Sequence, residues 1–216
     1  MRIFAKAISF IFHPLMILTF IAVILLLINP YLFGKSSIDQ GYWILAQVFM
    51  TTYLMPAFAV VIMKKLGLIQ SLEIEERTER IIPYISTGIF YLWVFMSVKS
   101  NNTFPQVFTI AVLGGTISLF LAFFINNFTK VSAHAAGVGG LVGMTLVIMR
   151  WFSYSYFYWG IERIEIPVYW ILIVVLLIAG LVCSSRLYLK VHEPRDIIQG
   201  LIVGLGGTAF ATWYFM

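Results

Sequence analysis

The sequence predicts an all-α integral membrane protein: a polytopic transmembrane helical bundle of about seven membrane-spanning segments, with no β-sheet. Three observations carry that prediction. Of 216 residues, 61% are apolar and only 11% charged, against roughly 45–50% and 25% in an ordinary soluble domain. The mean hydropathy is +0.96, more apolar surface than a soluble fold of this length can keep dry. The apolar residues also come in long continuous runs, without the roughly ten-residue alternation of a membrane barrel.

A bilayer core about 30 Å thick takes about 20 apolar residues per helix. Seven stretches meet or approach that length: 8–28, 42–63, 81–98, 105–128, 134–152, 166–184 and 196–216. The first follows Arg2 and Lys6, as a signal peptide would. Its apolar run is too long for one, and no small-x-small cleavage site follows, so it reads as a retained helix. His13, before Pro14 in that run, stands alone and reads as structural, facing the bundle. No repeat, low-complexity tract or linker divides the chain, and residues 1–216 read as one integral membrane domain. The single cysteine, Cys183, reads as packing. The glycine clusters 114–115, 137–140 and 204–207 lie within spans and read as close helix contacts.

Seven spans put alternate connections on alternate faces. One face receives Arg2, Lys6, Lys64, Lys65, Arg77, Arg80, Lys130, Arg186, Lys190 and Arg195, ten of the fourteen basic residues. The other receives Lys35, Lys99, Arg150, Arg163 and all six tryptophans. The net charge of +5 is scattered between apolar runs rather than gathered in a stripe, which excludes nucleic acid as a partner. Lys64, Lys65, Lys190 and Arg195 read as headgroup anchors.

The basic face also receives the N-termini of the third, fifth and seventh helices. Their unpaired N–H groups and partial positive charge attract anions. Between the sixth and seventh helices, Pro194 suits a first helical turn, His192 stands at the helix entrance, and Asp196 lies four residues on. A carboxylate accepting one ring N–H of a histidine leaves the other nitrogen free to attack. Arg186 is suited to holding phosphate oxygens bidentately. In the fourth connection, Ser132 is an N-cap or a phosphate contact, and His134 provides a second imidazole for proton transfer. The acidic cluster from Glu73 to Glu79 is interleaved with arginine, a poor magnesium site, and reads as a short amphipathic helix held by ion pairs. No Cys/His group has zinc spacing.

Ser185-Arg186, five residues, His192, three residues and Asp196 form a pattern that resembles the third signature of the type 2 phosphatidic acid phosphatase superfamily, which also contains the vanadium haloperoxidases. Ser132-x-His134 resembles the second signature, Pro-Ser-Gly-His, with Val131 and Ala133 replacing Pro and Gly. The first signature, Lys, any six, Arg-Pro, is matched only by Arg77 to Pro83, with Gln70 and Glu73 where lysine is expected. The signature region runs from about 77 to 200. The resemblance implies a membrane phosphatase acting on a lipid phosphate or diphosphate through a phosphohistidine, without metal or cofactor. His192 would be the nucleophile, oriented by Asp196, and His134 would protonate the leaving group and then activate water. Arg186, Ser132 and one or both of Arg77 and Arg80 would hold the phosphoryl oxygens. Lys130 would add a phosphate contact, although the signatures give it no role. Candidate substrates are an isoprenoid diphosphate, phosphatidylglycerophosphate, phosphatidate or a lipid A phosphate. The alternative is a lipid or small-solute transporter, or a relative that binds phospholipid without cleaving it. The resemblance implies a bacterial inner membrane with the site open to its outer surface, while the count of basic residues favours the inside.

Overall fold

Pro14 breaks the first apolar run. It has no N–H to donate and forces the preceding residue into an extended conformation. In the computed structural model, which describes residues 1–71, 78–159 and 164–216, His13 is accordingly extended, at φ −61° and ψ 141°. Helix α1 (Arg2–Ile11) stops before it, a 3₁₀ turn (Pro14–Met16) follows, and α2 (Ile17–Ile28) resumes the span. The second span joins α3 (Tyr42–Phe49) to α4 (Met55–Lys65) through a π-helical turn (Met50–Leu54), with Pro56 in the first turn of α4. The remaining spans are α5 (Ile81–Lys99), α6 (Gln106–Asn126), α7 (Ala133–Val147) with a π turn after it (Ile148–Phe152), α8 (Tyr169–Tyr188) and α9 (Pro194–Phe215).

Among the described residues these elements make seven helices long and apolar enough to cross a membrane. Their outer faces are apolar too: Ile89, Leu177, Ile202 and Trp213 are all more than 60% exposed, and only 28% of the most apolar stretch of Tyr169–Tyr188 is buried. A helix apolar all round and not buried by protein belongs in lipid. The first span begins at Arg2 rather than at residue 8, because α1 is amphipathic: Ala5 and Ser9 face the bundle while Arg2 and Lys6 are exposed.

One feature corrects the expectation of no β-sheet. β1 (Tyr156–Trp159) and β2 (Ile164–Pro167) form an antiparallel hairpin, Phe157 opposite Ile166. Aromatic and β-branched residues favour extended pairing. Buried Phe157 joins the core beside α2, closing one end of the bundle.

The core centres on α2, where Ala22, Leu25 and Leu26 are fully buried. A second seam holds α7 on α9 by backbone contact, as the glycine clusters predict. A Cβ on Gly139 would sit 2.7 Å from the Leu201 carbonyl oxygen, and one on Gly200 2.5 Å from that of Ser132. A Cβ on Gly204 would strike the Ala136 carbonyl oxygen. Small residues let helix axes approach this closely, and the seam fixes the start of α7 against the start of α9.

Candidate functional site

The turn between α8 and α9 carries the densest chemistry. Lys190 adopts a left-handed conformation, φ 56°, the sole non-glycine residue to do so among those described, and it reverses the chain after α8. Glu193 then caps α9 and Pro194 occupies its first turn. Asp196 completes a capping box, its Oδ2 accepting the Glu193 N–H at 3.2 Å. The same oxygen lies 3.2 Å from His192 Nδ1. A carboxylate only accepts, so Nδ1 carries the proton and the lone pair is left on Nε2. Both residues are buried. The i, i+4 pairing expected from the sequence is therefore present, and the capping box that locks it is a feature the sequence reading missed.

Backbone contacts bring the neighbouring helix starts together. The Ser132 N–H donates to the Asp196 carbonyl oxygen at 3.2 Å. Arg80, at the start of α5, donates from Nη1 to the Val131 carbonyl oxygen at 3.4 Å. The N-termini of α5, α7 and α9 thus converge. Ser132 Oγ accepts the Ala135 N–H at 3.3 Å and is fully buried. The N-cap reading is thus present in the structure, and the cap leaves the hydroxyl proton of Ser132 available to a second partner.

His134, in the first turn of α7, has Nε2 3.0 Å from the Ser9 carbonyl oxygen of α1. A carbonyl only accepts, so that nitrogen donates, and Nδ1 of the neutral ring is left with the lone pair. His13, expected to stand alone, does not. Its ring meets that of His134 edge-on, centroids 5.6 Å apart, and that of Tyr53 at 6.1 Å. The signal was present in the sequence: a titratable residue beside a proline that had to open the first span.

A cavity of about 620 Å³ runs inside the bundle. Arg80, Arg186, His192, His134, His13 and Tyr53 contribute polar walls. Leu18, Ile21, Ala111, Leu119 and Met144 contribute apolar ones. All three histidines of the chain, from three different spans or their edges, line this one space. Lys130 and Asp196 are not on its wall: Asp196 stands behind His192, and Lys130 is half-buried with its charge felt at His192. Arg77 and most of the acidic stretch expected to form an amphipathic helix lie outside the described residues. Glu79 is described, and it accepts the Gln70 N–H at 3.3 Å.

The electrostatics favour a neutral His192. Burial pulls its imidazole from the ordinary 6.5 down to about 4; the Asp196 hydrogen bond works against that, and Arg186, Arg80 and Lys130 add to the lowering. Near neutral pH the ring keeps its lone pair on Nε2, with Arg186 and Arg80 on the same cavity wall. Among the described residues, no three His, Cys, Asp or Glu side chains converge as metal ligands.

Converging helix N-termini, with arginines and histidines on one cavity wall among apolar helices, mark an integral membrane protein with a cationic, histidine-lined cavity. The family model of the PAP2 superfamily matches residues 98–216. That is more than half of the chain, which belongs to this superfamily, and a phosphatase activity follows from that membership. Neither the curated proteins nor the solved structures yielded a match. The matched stretch includes Lys130, Ser132, His134, Arg186, His192 and Asp196, and it leaves Arg80 and His13 outside.

Proposed function

We propose that the protein removes a phosphate from a membrane lipid phosphate or diphosphate, through a phosphohistidine and without a metal ion. The observation that carries this reading is the mixed cavity, with cationic and histidine groups together on a wall that is otherwise apolar and enclosed by membrane-spanning helices. A headgroup and the start of its hydrocarbon chain fit such a space together.

The residues supply each part of the reaction. His192 Nε2 forms a bond to phosphorus while the bond from phosphorus to the leaving oxygen breaks. The electron pair passes to that oxygen, and a proton on His134 Nδ1 follows it. The substrate's negative charge, set beside His134, favours the imidazolium needed for that step. Asp196 stabilises the positive charge that develops on His192, and Arg186 and Arg80 balance the charge spread over the phosphoryl oxygens. Water then attacks phosphorus, His134 takes its proton, the N–P bond breaks, and inorganic phosphate leaves. His192 returns to its neutral form.

The test is phosphate release from purified protein in detergent, over a panel of lipid mono- and diphosphates. Hydrolysis that survives EDTA, is inhibited by orthovanadate and disappears in His192→Ala supports the reading. Wild-type rates in His192→Ala, or activity lost in EDTA and restored by Mg²⁺ or Zn²⁺, refute it. Binding or transport of phospholipid with no phosphate released would support the alternative. We place the protein in a bacterial inner membrane with the site at the outer surface. In a Cys183→Ser background, cysteines at Lys65, Lys130 and Arg195 should label together with an impermeant maleimide from that side, and cysteines at Lys35 and Lys99 should not.

A further inference from the structure

The third histidine has no part in the reaction just described. His13 comes from the first span, outside the stretch that matches the family. Its Nδ1 accepts the Leu15 N–H at 3.3 Å and so caps the 3₁₀ turn that follows. The proton of the neutral ring is therefore on Nε2. Among the described residues no protein group takes up that Nε2–H, and it is not among the sealed polar atoms. The ring lines the cavity, edge-on to His134 and near Tyr53. His134 meets the His13 ring directly, and the start of its helix is bonded to that of α9, where the Ser132 N–H donates to the Asp196 carbonyl oxygen. Arg186 lines the same cavity. His134 thus links the His192 turn to His13 along the cavity wall. If His192 faces phosphorus and His134 the leaving oxygen, His13 faces whatever lies beyond that oxygen.

We propose that His13 is a specificity-determining residue: its Nε2–H donates to an anionic oxygen of the leaving group, which makes a lipid diphosphate the preferred substrate class. In a lipid monophosphate the atom beyond the leaving oxygen is carbon, and a buried donor facing it goes unsatisfied. In a lipid diphosphate it is a second phosphorus, whose free oxygens accept. The Pβ–O bond breaks, the electron pair and the His134 proton go to the bridging oxygen, and the lipid leaves as its monophosphate. His13 gives up no proton and only holds the departing phosphate.

The inference rests on the phosphatase reading, and the capping role of His13 supplies a clean test. Asparagine also caps helix starts, so His13→Asn retains an acceptor for the Leu15 N–H while removing Nε2. Farnesyl diphosphate and farnesyl monophosphate share one chain and differ only in the group concerned. In wild-type protein kcat/KM should favour the diphosphate. In His13→Asn and His13→Phe that ratio should fall about tenfold to a hundredfold, the scale of one hydrogen bond to a charged oxygen. Lys64→Ala should leave the ratio alone. Affinity for farnesyl methylenediphosphonate, which cannot be hydrolysed at the bridge, should fall by a similar factor in both His13 variants. An unchanged ratio, whether both rates drop together or neither does, overturns the proposal and leaves His13 a cap. Should wild-type protein release phosphate from neither lipid, the phosphatase reading falls; the methylenediphosphonate affinities then judge His13 separately, equal affinity in wild type and His13→Asn overturning it and weaker affinity in the variant supporting it.

Discussion

Asp196→Asn separates the electrostatic part of the proposed mechanism from the structural part. In the resting protein Asp196 Oδ2 accepts from both His192 Nδ1 and the Glu193 N–H, each at 3.2 Å. When Nε2 bonds to phosphorus the imidazole becomes cationic, and the carboxylate then faces a full positive charge. At an effective dielectric of about 20 and a charge separation of about 4 Å, that attraction is worth about 4 kcal/mol. Removing the charge while keeping the shape should lower kcat roughly a thousandfold. The cost to the fold should be small, about 1 kcal/mol, because asparagine still offers an oxygen to the helix start. The measurement is single-turnover formation of the phosphoenzyme, with circular dichroism melting alongside. A kcat within tenfold of wild type would refute the role given to the carboxylate. A thousandfold loss accompanied by collapse of the melting transition would equally refute the separation of charge from scaffold.

Acidity provides another test. Because the His192 pKa is depressed, the unfolded chain takes up a proton near pH 6.5 that the folded ring refuses until about 4. The contribution of His192 to stability is thus fully present above pH 6.5 and is lost as pH falls from there through about 4. The acid limb of kcat/KM, corrected for substrate ionisation, should likewise fall near 4, and a limb at 6.5 would contradict the burial argument. Gly204→Val should break the α7–α9 seam, since its first side-chain carbon meets the Ala136 carbonyl. Gly180→Ala, where a Cβ meets nothing within 4 Å, should stabilise by about 0.5–1 kcal/mol, and thermal unfolding in detergent compares the two. Arg80→Ala should reduce activity severely and Lys64→Ala should not. Equal, mild effects would mean that both merely anchor headgroups.

The seven spans were legible because length and hydropathy are local properties, and the structure moves their ends by only a few residues. The start of α1 is the main exception. That helix is amphipathic, and a count of apolar residues cannot see that Ala5, Ile8 and Ser9 turn inward. The His192–Asp196 pairing was legible because four residues make one helical turn. The glycine seam could be read as close packing, but the identity of the partner helix is a tertiary fact. For the same reason Arg80 could not be tied to Val131 in advance, nor His13 to His134, since 121 positions of chain separate the two histidines. The hairpin escaped because four-residue strands are too short to alter a hydropathy average. Ser132 carried two readings because one hydroxyl serves as cap and as ligand, and its cap to the Ala135 N–H is a matter of local helix geometry.

The bond between the Ser132 amide and the Asp196 carbonyl has a consequence for how such a site changes over time. Main chain is the one component that almost any substitution leaves in place. His192 and His134 are registered by main chain, through that bond and the glycines beside it, so substitutions elsewhere than at those glycines barely alter their spacing. The neighbouring stretch is made differently: the break at His13 and the turn holding Tyr53 meet the cavity through side chains. Exchanging one there reshapes that part of the cavity while the alignment of His192 with His134 is kept. The cavity therefore has one portion whose geometry is held by main chain and another whose shape is set by exchangeable side chains.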